Sequence, residues 1–368
     1  MRKRLFRKRM NAMKRMDRTI VIFRVTAMCA ALIVSPGAIA KEAAELSALV
    51  PAMWEYTAPL ISPEKRDKEP SVAQKDPSVV FYAGRWHVFM TVKLPGRAAI
   101  EYCSFAKWED ADQAPRTTLT VCDSKYVCAP QVFYFEPQKK WYLVYQAKMG
   151  SHRNFMWVAY STTENIADPA SWTQAQPILD GSDADPRQEG GLDYWIICDE
   201  QRAYLFLTND NGKLWRLWTN LKDFPKGFSH CELALQCSLY EASHTYRLKG
   251  LGKFLTIVEE NGRKKFYTAY LADSLDGKWT PLADTEEKPF AGAANIRPAA
   301  SVKPWTENVS HGEMIREGCD ETETIDPGNL RFLFQGMFDS GKAGKGYDDW
   351  RWRLGILTPA GNAKPPQP

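Results

Sequence analysis

No two of the chain's 8 cysteines form a Cys-x-x-Cys pair, so a zinc site of that kind is excluded. Seven of them, Cys103, Cys122, Cys128, Cys198, Cys231, Cys237 and Cys319, lie beyond residue 40. The six-residue spacing of Cys122/Cys128 and of Cys231/Cys237 would allow local disulfides in an oxidising compartment, and the odd count leaves a thiol over. A membrane-spanning run is missing from the N-terminus: the apolar stretch Val25–Val34 falls well short of the roughly 20 residues a permanent anchor needs. Strong charge of one sign is missing too. The formal net charge is +4, but residues 1–40 hold ten of the 48 Lys/Arg against one of the 44 Asp/Glu, so the remainder carries 38 basic and 43 acidic residues, a net of −5. Nothing in that balance favours nucleic acid or an anionic membrane as a partner. Convincing amphipathic helices and Pro/Ser/Gly linkers are both absent from residues 70–358, which therefore read as one domain.

What is present begins with a leader. A basic segment runs to Arg24, the apolar stretch follows, and Ala38-Ile39-Ala40 offers a small-x-small cleavage site before Lys41. Residues 1–40 are read as an export signal, implying a secreted or periplasmic protein with no membrane attachment after cleavage. Residues 41–69, with Pro51, Pro59 and Pro63, read as a lead-in, and 359–368 as a loose Pro-rich tail. With 44% hydrophobic and 25% charged residues a packed core is feasible, and aromatics at 12% suit both β-strands and a sugar-binding surface.

Between these ends, short alternating or fully apolar runs recur, broken by turn residues. Asp76–Tyr82 returns as Trp86–Val92, Pro130–Phe135 as Trp141–Ala147, Leu192–Cys198 as Ala203–Thr208, and Glu241–Leu248 as Phe254–Glu259. His311–Arg316 leads to Leu330–Gly336 and Trp350–Thr358. Units starting near Asp76, Pro130, Asp193, Glu241 and His311 have the size and antiparallel composition of propeller blades. The expected fold is all-β: a five-bladed β-propeller spanning 70–358.

In a propeller the innermost strands converge on a central channel. Three units open with an acid, Asp76, Asp193 and Glu241, within or beside an apolar strand. A carboxylate entering a half-buried strand costs several kcal/mol unless compensated, so three at equivalent positions of a repeat point to chemistry. Glycosidic cleavage needs two carboxyls, one protonated at the leaving oxygen and one ionised to activate water or attack carbon. A third acid can hold up the pKa of the general acid by repulsion.

Several ordered segments carry a specific resemblance: Lys75-Asp76, Ala129–Phe135, Trp141–Gln146, Asp210–Lys213, Leu239–Glu241, Lys288–Gly292, Ser310–Glu313, Asp326–Leu330 and Trp352–Gly355. In that order the chain resembles glycoside hydrolase family 62, inverting five-bladed α-L-arabinofuranosidases that remove single arabinose branches from xylan. The resemblance implies Asp76 as general base, Glu241 as general acid, and Asp193 as the residue that tunes and orients it. It implies Lys75 and Tyr347 as lining the arabinose pocket, and His311 as lying near a structural calcium in the channel. Three positions depart from the family: Ala147 replaces a pocket-wall Trp, Ala242 a Gly after the acid, and Gly190-Gly191-Leu192 a Gly-Pro-Ile before Asp193. The expected partner is a polysaccharide or oligosaccharide bound by a monomer. A propeller glycosidase acting on another furanoside or on a xyloside, and a non-catalytic carbohydrate-binding propeller, are the alternatives.

Overall fold

The computed structural model describes residues 44–46, 48–148, 157–179, 191–209 and 212–361. The leader, His152, Gly190, the Asp210-Asn211 turn and residues 362–368 of the tail lie outside them. Blade I is built from Ala73–Tyr82, Arg85–Leu94, Arg97–Phe105 and Arg116–Thr118. Blade II follows with Val127–Phe135, Lys140–Ala147, Trp157–Thr163 and Gln176–Pro177, and blade III with Leu192–Cys198, Arg202–Asn209, Lys213–Asn220 and His230–Gln236. Blade IV contains Leu239–Leu248, Lys253–Asn261, Lys265–Ala272 and Thr280–Ala283, and gains a short parallel partner, Thr324–Ile325, beside its first strand. In these four blades successive strands pair antiparallel, so chain order is sheet order. In blade I the hairpin closes at the pair Tyr82↔Arg85 with Ala83 and Gly84 both at positive φ, 49° and 77°. That backbone matches the twist of the flanking strands.

Blade V departs from the pattern. Its sheet runs Ser310–Met314, Phe332–Gly336, Arg353–Pro359, Trp54–Tyr56, Ile296–Pro298. The stretch read from the sequence as a lead-in thus supplies a strand to the last blade, antiparallel to Arg353–Pro359 and parallel to Ile296–Pro298. The correction has a physical reason: three residues, Trp54-Glu55-Tyr56, are too few for a periodic signal, and what holds them is non-local. Trp54 is fully buried, donates its indole N–H to the Phe290 carbonyl at 2.7 Å, and lies edge-on to the Phe290 ring. The ring of blades is closed by strands from both halves of the chain.

The core lies between neighbouring blades. Val80, Phe89 and Tyr102 of blade I pack with Val132, Leu143 and Tyr145 of blade II. Phe133 and Tyr142 of blade II pack with Ile196, Leu205 and Leu217 of blade III. Trp195 and Phe206 of blade III join Tyr246 and Tyr267 of blade IV and Phe332 of blade V, and Val79 and Val88 meet Leu333 and Ile356 where blade V meets blade I. Each large side chain so buried contributes about 1.5–3 kcal/mol. All seven cysteines beyond residue 40 are free thiols, so neither suggested disulfide forms. Among the described residues no helix is long and apolar enough to cross a membrane.

The inner strands share one irregularity. Each breaks its register with the second strand near its start, between Lys75 and Ser78, Cys128 and Gln131, Leu192 and Trp195, Glu241 and His244, and Ser310 and Gly312. In four blades the extra residue is left-handed: Asp76 (φ 47°), Ala129 (50°), Asp193 (50°) and Ala242 (52°). A bulge leaves its amide without a ladder partner, and here a neighbouring blade supplies one. The amide of Asp76 donates to Gln335 Oε1, Ala129 to Thr91 Oγ1, Asp193 to Gln146 Oε1, Ala242 to Asp193 Oδ2, and His311 to Glu259 Oε2, all within 2.6–2.9 Å. A closed circle of hydrogen bonds fixes the five bulges against one another.

Candidate active site

The bulges face one pocket of about 550 Å³, to whose floor all five inner strands contribute: Lys75 and Asp76, Cys128, Leu192 and Asp193, Glu241, and His311. Two of the acids occupy the same place in the repeat. Asp76 and Asp193 are both the left-handed bulge residue, while Glu241 is the residue before it and stands in register with Lys75 and Cys128. The expectation of three equivalent positions is corrected accordingly. Two successive residues at a bulge oppose one on the partner strand, so both places reach the channel. Ala242 adopts at φ 52° the conformation a glycine would take without strain, at the position where the family has one.

His311 stands among the acids. Its Nδ1 is 3.3 Å from Asp76 Oδ1 and 3.8 Å from Asp193 Oδ2. Lys75 Nζ lies 3.4 Å from Asp76 Oδ1 and donates to the Tyr347 hydroxyl at 2.9 Å. Tyr347 also lines the pocket and is 48% exposed, open to an incoming ligand. Opposite, Lys265 Nζ sits 3.7 Å from Glu241 Oε1 and 2.5 Å from Glu259 Oε1, over the Tyr240 ring.

These surroundings separate the carboxyls electrostatically. Burial works to raise the Asp76 carboxyl, but Lys75, His311 and a hydrogen bond from Thr91 outweigh it and hold the group below its ordinary value. Burial raises Asp193; His311 opposes it, Asp76 reinforces it, and the net shift is upward. Glu241 is raised well above the ordinary range, first by burial, then by the charges of Glu259 and Asp193, against partial relief from Lys265 and Lys75. At neutral pH the site therefore holds an ionised carboxylate and a carboxyl biased toward its protonated form, the pairing that general base and general acid require.

Other pocket residues went unnoticed in the sequence. Tyr126, Cys128, Gln146, Lys125, Lys148 and Gly96 line it as well. A signal for one was available: aligning Lys75-Asp76-Pro77 with Cys128-Ala129-Pro130 on their prolines places Cys128 where Lys75 stands. Its thiol is pushed upward by burial and by Asp76, which suits a packing role. Ala147, where the resemblance expects a pocket-wall Trp, is fully buried between Val127 and Trp157 and does not line the pocket. His244 is buried: it stacks on Trp195 with ring centres 4.3 Å apart, meets His311 edge-on at 5.2 Å, and donates from Nδ1 to the Gly312 carbonyl at 2.6 Å.

Comparison with known proteins bears on the same segments. The sequence profile of Glycosyl hydrolase family 62 matches residues 54–358. The chain belongs to glycosyl hydrolase family 62. The family match begins at Trp54, the residue that opens the closing strand of blade V. Alpha-L-arabinofuranosidase C of Cellvibrio japonicus (strain Ueda107) is 38% identical over 317 residues, covering 83% of this chain; the chain spans 47% of that relative's length. The catalytic domain of a family 62 α-L-arabinofuranosidase from Coprinopsis cinerea superimposes with a TM-score of 0.77 at 37% identity, over 84% of this chain and 98% of its own. An α-L-arabinofuranosidase from Podospora anserina, solved in complex with cellotriose, gives 0.75 at 35% identity over 84% and 98%. A thermostable family 43 glycoside hydrolase, 16% identical with a TM-score of 0.54, shares the fold. The family 62 chain described here is thus nearly all β, with its five blades arranged as in these propellers.

Proposed function

We propose that this family 62 protein is an exo-acting, inverting glycoside hydrolase that releases terminal α-L-arabinofuranose from arabinoxylan or a related arabinose-bearing polysaccharide. The observation that carries the reading is the opposite displacement of two carboxyls in one pocket, Asp76 downward and Glu241 upward. Glu241 gives its proton to the glycosidic oxygen as the bond to the anomeric carbon breaks. Asp76 takes a proton from the water that attacks that carbon from the other face, and the released sugar carries the inverted configuration. Asp193 accepts the Ala242 amide at 2.8 Å, fixing the backbone next to Glu241, and adds repulsion that favours the protonated acid. Lys75 and Tyr347 present an ammonium and a phenol to the sugar hydroxyls. A pocket floored by all five inner strands suits a chain end or a single branch, not the middle of a polymer.

Calcium takes six to eight oxygen ligands. The His311 ring faces the carboxylates of Asp76 and Asp193, the Glu259 carboxylate is taken up by the His311 amide, and among the described residues no three His, Cys, Asp or Glu side chains are grouped to hold a metal. This donor set does not make a calcium cage, and no catalytic step is assigned to the ion. A calcium ion held at His311 would depend mainly on water, and elemental analysis of the purified protein tests for it. The basic, then apolar leader supports export, and N-terminal sequencing of the secreted protein tests cleavage after Ala40.

The enzyme should release 4-nitrophenol from its α-L-arabinofuranoside, slowly, and a β-configured sugar should appear first by NMR. Glu241→Gln and Asp76→Asn should each cut turnover about 10²–10⁴-fold, the range of general acid–base catalysis. Release of the α anomer would overturn inversion. Activity confined to another furanoside or to a xyloside would move the substrate but keep the mechanism. Folded wild-type protein inactive on the whole panel would leave a carbohydrate-binding propeller.

A further inference from the structure

We infer that Glu259 and Lys265, a buried ion pair behind the pocket, are positioning residues that set the protonation of Glu241. The inference rests on the proposed function only in calling Glu241 the acid; the arrangement itself is geometric. Glu259 lies directly across from Glu241 in the blade IV hairpin and is fully buried. It accepts from Lys265 Nζ at 2.5 Å, from Ser310 Oγ at 3.1 Å to each oxygen, and from the His311 amide at 2.6 Å. Lys265 bridges back to Glu241 at 3.7 Å.

The other blades show why this pair is unusual. The second-strand residue that faces the bulge is Thr91 in blade I, Gln146 in blade II, Thr208 in blade III and Gln335 in blade V. Thr91, Gln146 and Gln335 cap a neighbouring bulge amide as neutral side chains. Glu259 performs the same capping for His311, so capping alone does not call for a charge. A buried ion pair is a costly replacement for a neutral acceptor, and its location against Glu241 gives the charge a use. Glu259 disfavours a second negative charge at Glu241, and the Lys265 ammonium is shared between the two carboxyls. Other charges facing Glu241 are Lys75 from blade I, Asp193 from blade III and, at the phenol level, Tyr240 and Tyr347. Asp193 also enters the capping circle on the blade IV side, accepting the Ala242 amide at 2.8 Å, so its charge acts on Glu241 beside that of Glu259.

The test is the titration of Glu241 itself, followed through ¹³C-labelled glutamate carboxyls and assigned with Glu241→Gln. It is run beside the alkaline limb of kcat/KM on 4-nitrophenyl α-L-arabinofuranoside. Glu259→Gln removes the repelling charge and frees Lys265 to stabilise the Glu241 carboxylate, so titration and limb should both move to lower pH by about 1 unit or more. Lys265→Met removes the attraction and should move both to higher pH. The double variant should fall between the two single ones. A merely structural role would lower activity or stability in both variants without opposite shifts. Stationary titrations, or shifts of the same sign, would overturn the inference. If the wild type is inactive, the NMR titration still decides this point while the enzymatic reading fails on its own. If Glu259→Gln does not fold, Lys265→Met and the double variant carry the same comparison.

Discussion

Asp76 and Glu241 are both buried carboxyls in one pocket, yet their neighbours drive them apart. Asp76 has Lys75 and His311 within 3.4 Å, which more than offsets burial. Glu241 has the Lys265 ammonium at 3.7 Å shared with Glu259, and two carboxyls in repulsive range. The sign of the pH dependence follows. With Asp76 as the proposed base, activity is lost as pH falls through a pKa lying below 3.8. With Glu241 as the proposed acid, it is lost as pH rises through a pKa lying well above 4.5. A bell-shaped kcat/KM profile is expected, and Lys75→Met should narrow it from the acid side, because the largest offset to burial at Asp76 is gone. Initial rates between pH 3 and 9 check this; an acid limb that stays in place in Lys75→Met would show that the lysine acts only on the sugar. That the acids, Lys75 and His311 line one pocket was legible from the sequence, since each lies in a repeated or quoted segment, whereas Tyr347 was named by the family resemblance alone. Glu259 and Lys265 were not, because a glutamate and a lysine in a returning strand look like any solvated pair until the opposite strand is in place.

At the scale of the strand, the bulge does the positioning. It brings at least one residue of each inner strand to the pocket, two in blades I and III, and it leaves an amide that a neighbouring blade must satisfy. Gln335 illustrates the coupling: its Oε1 accepts the Asp76 amide at 2.9 Å and its Nε2 donates to Ser310 Oγ at 3.0 Å. Gln335→Leu keeps the volume but orphans a buried amide, which costs about 1–3 kcal/mol. Urea unfolding should show that loss, and kcat should fall more than KM changes, because the displaced group is the proposed base. An unchanged kcat in a destabilised variant would mean that the bulge holds its shape without the cap. The strands themselves were readable from alternation and turn residues, and Leu192–Cys198 falls where the sequence put it. The one-residue offset of Glu241 from Asp76 and Asp193 was not, since a bulge depends on register between strands and leaves no periodic trace.

For the whole molecule, closure matters most. Blades I to III are each made from one continuous segment and blade IV adds only Thr324–Ile325, but blade V joins Trp54–Tyr56 to strands more than 200 residues away. Trp54→Ala removes a fully buried ring and its hydrogen bond to Phe290, and should cost about 3–5 kcal/mol. Because His311 in the same blade stands beside Asp76 and Asp193, the loosened variant should lose activity at temperatures below its unfolding midpoint. Calorimetry beside residual activity checks both. A midpoint unchanged from wild type would show that the ring closes without this strand.

Taken by itself, the sequence determined the all-β character, the number of blades and which three acids meet at one pocket, because alternation, turn residues and repeated phrases are local properties of a chain. It also determined that the part beyond residue 40 is mildly acidic and free of a Cys-x-x-Cys metal pair. Only the tertiary structure decided which blade the N-terminal strand completes, that Asp76 and Asp193 share a bulge position which Glu241 precedes, and that Glu259 stands behind Glu241. Those are relations between segments far apart in the chain. Their energy comes from interstrand register, burial and Coulomb interaction over a few ångströms, and these exist only once the blades have met.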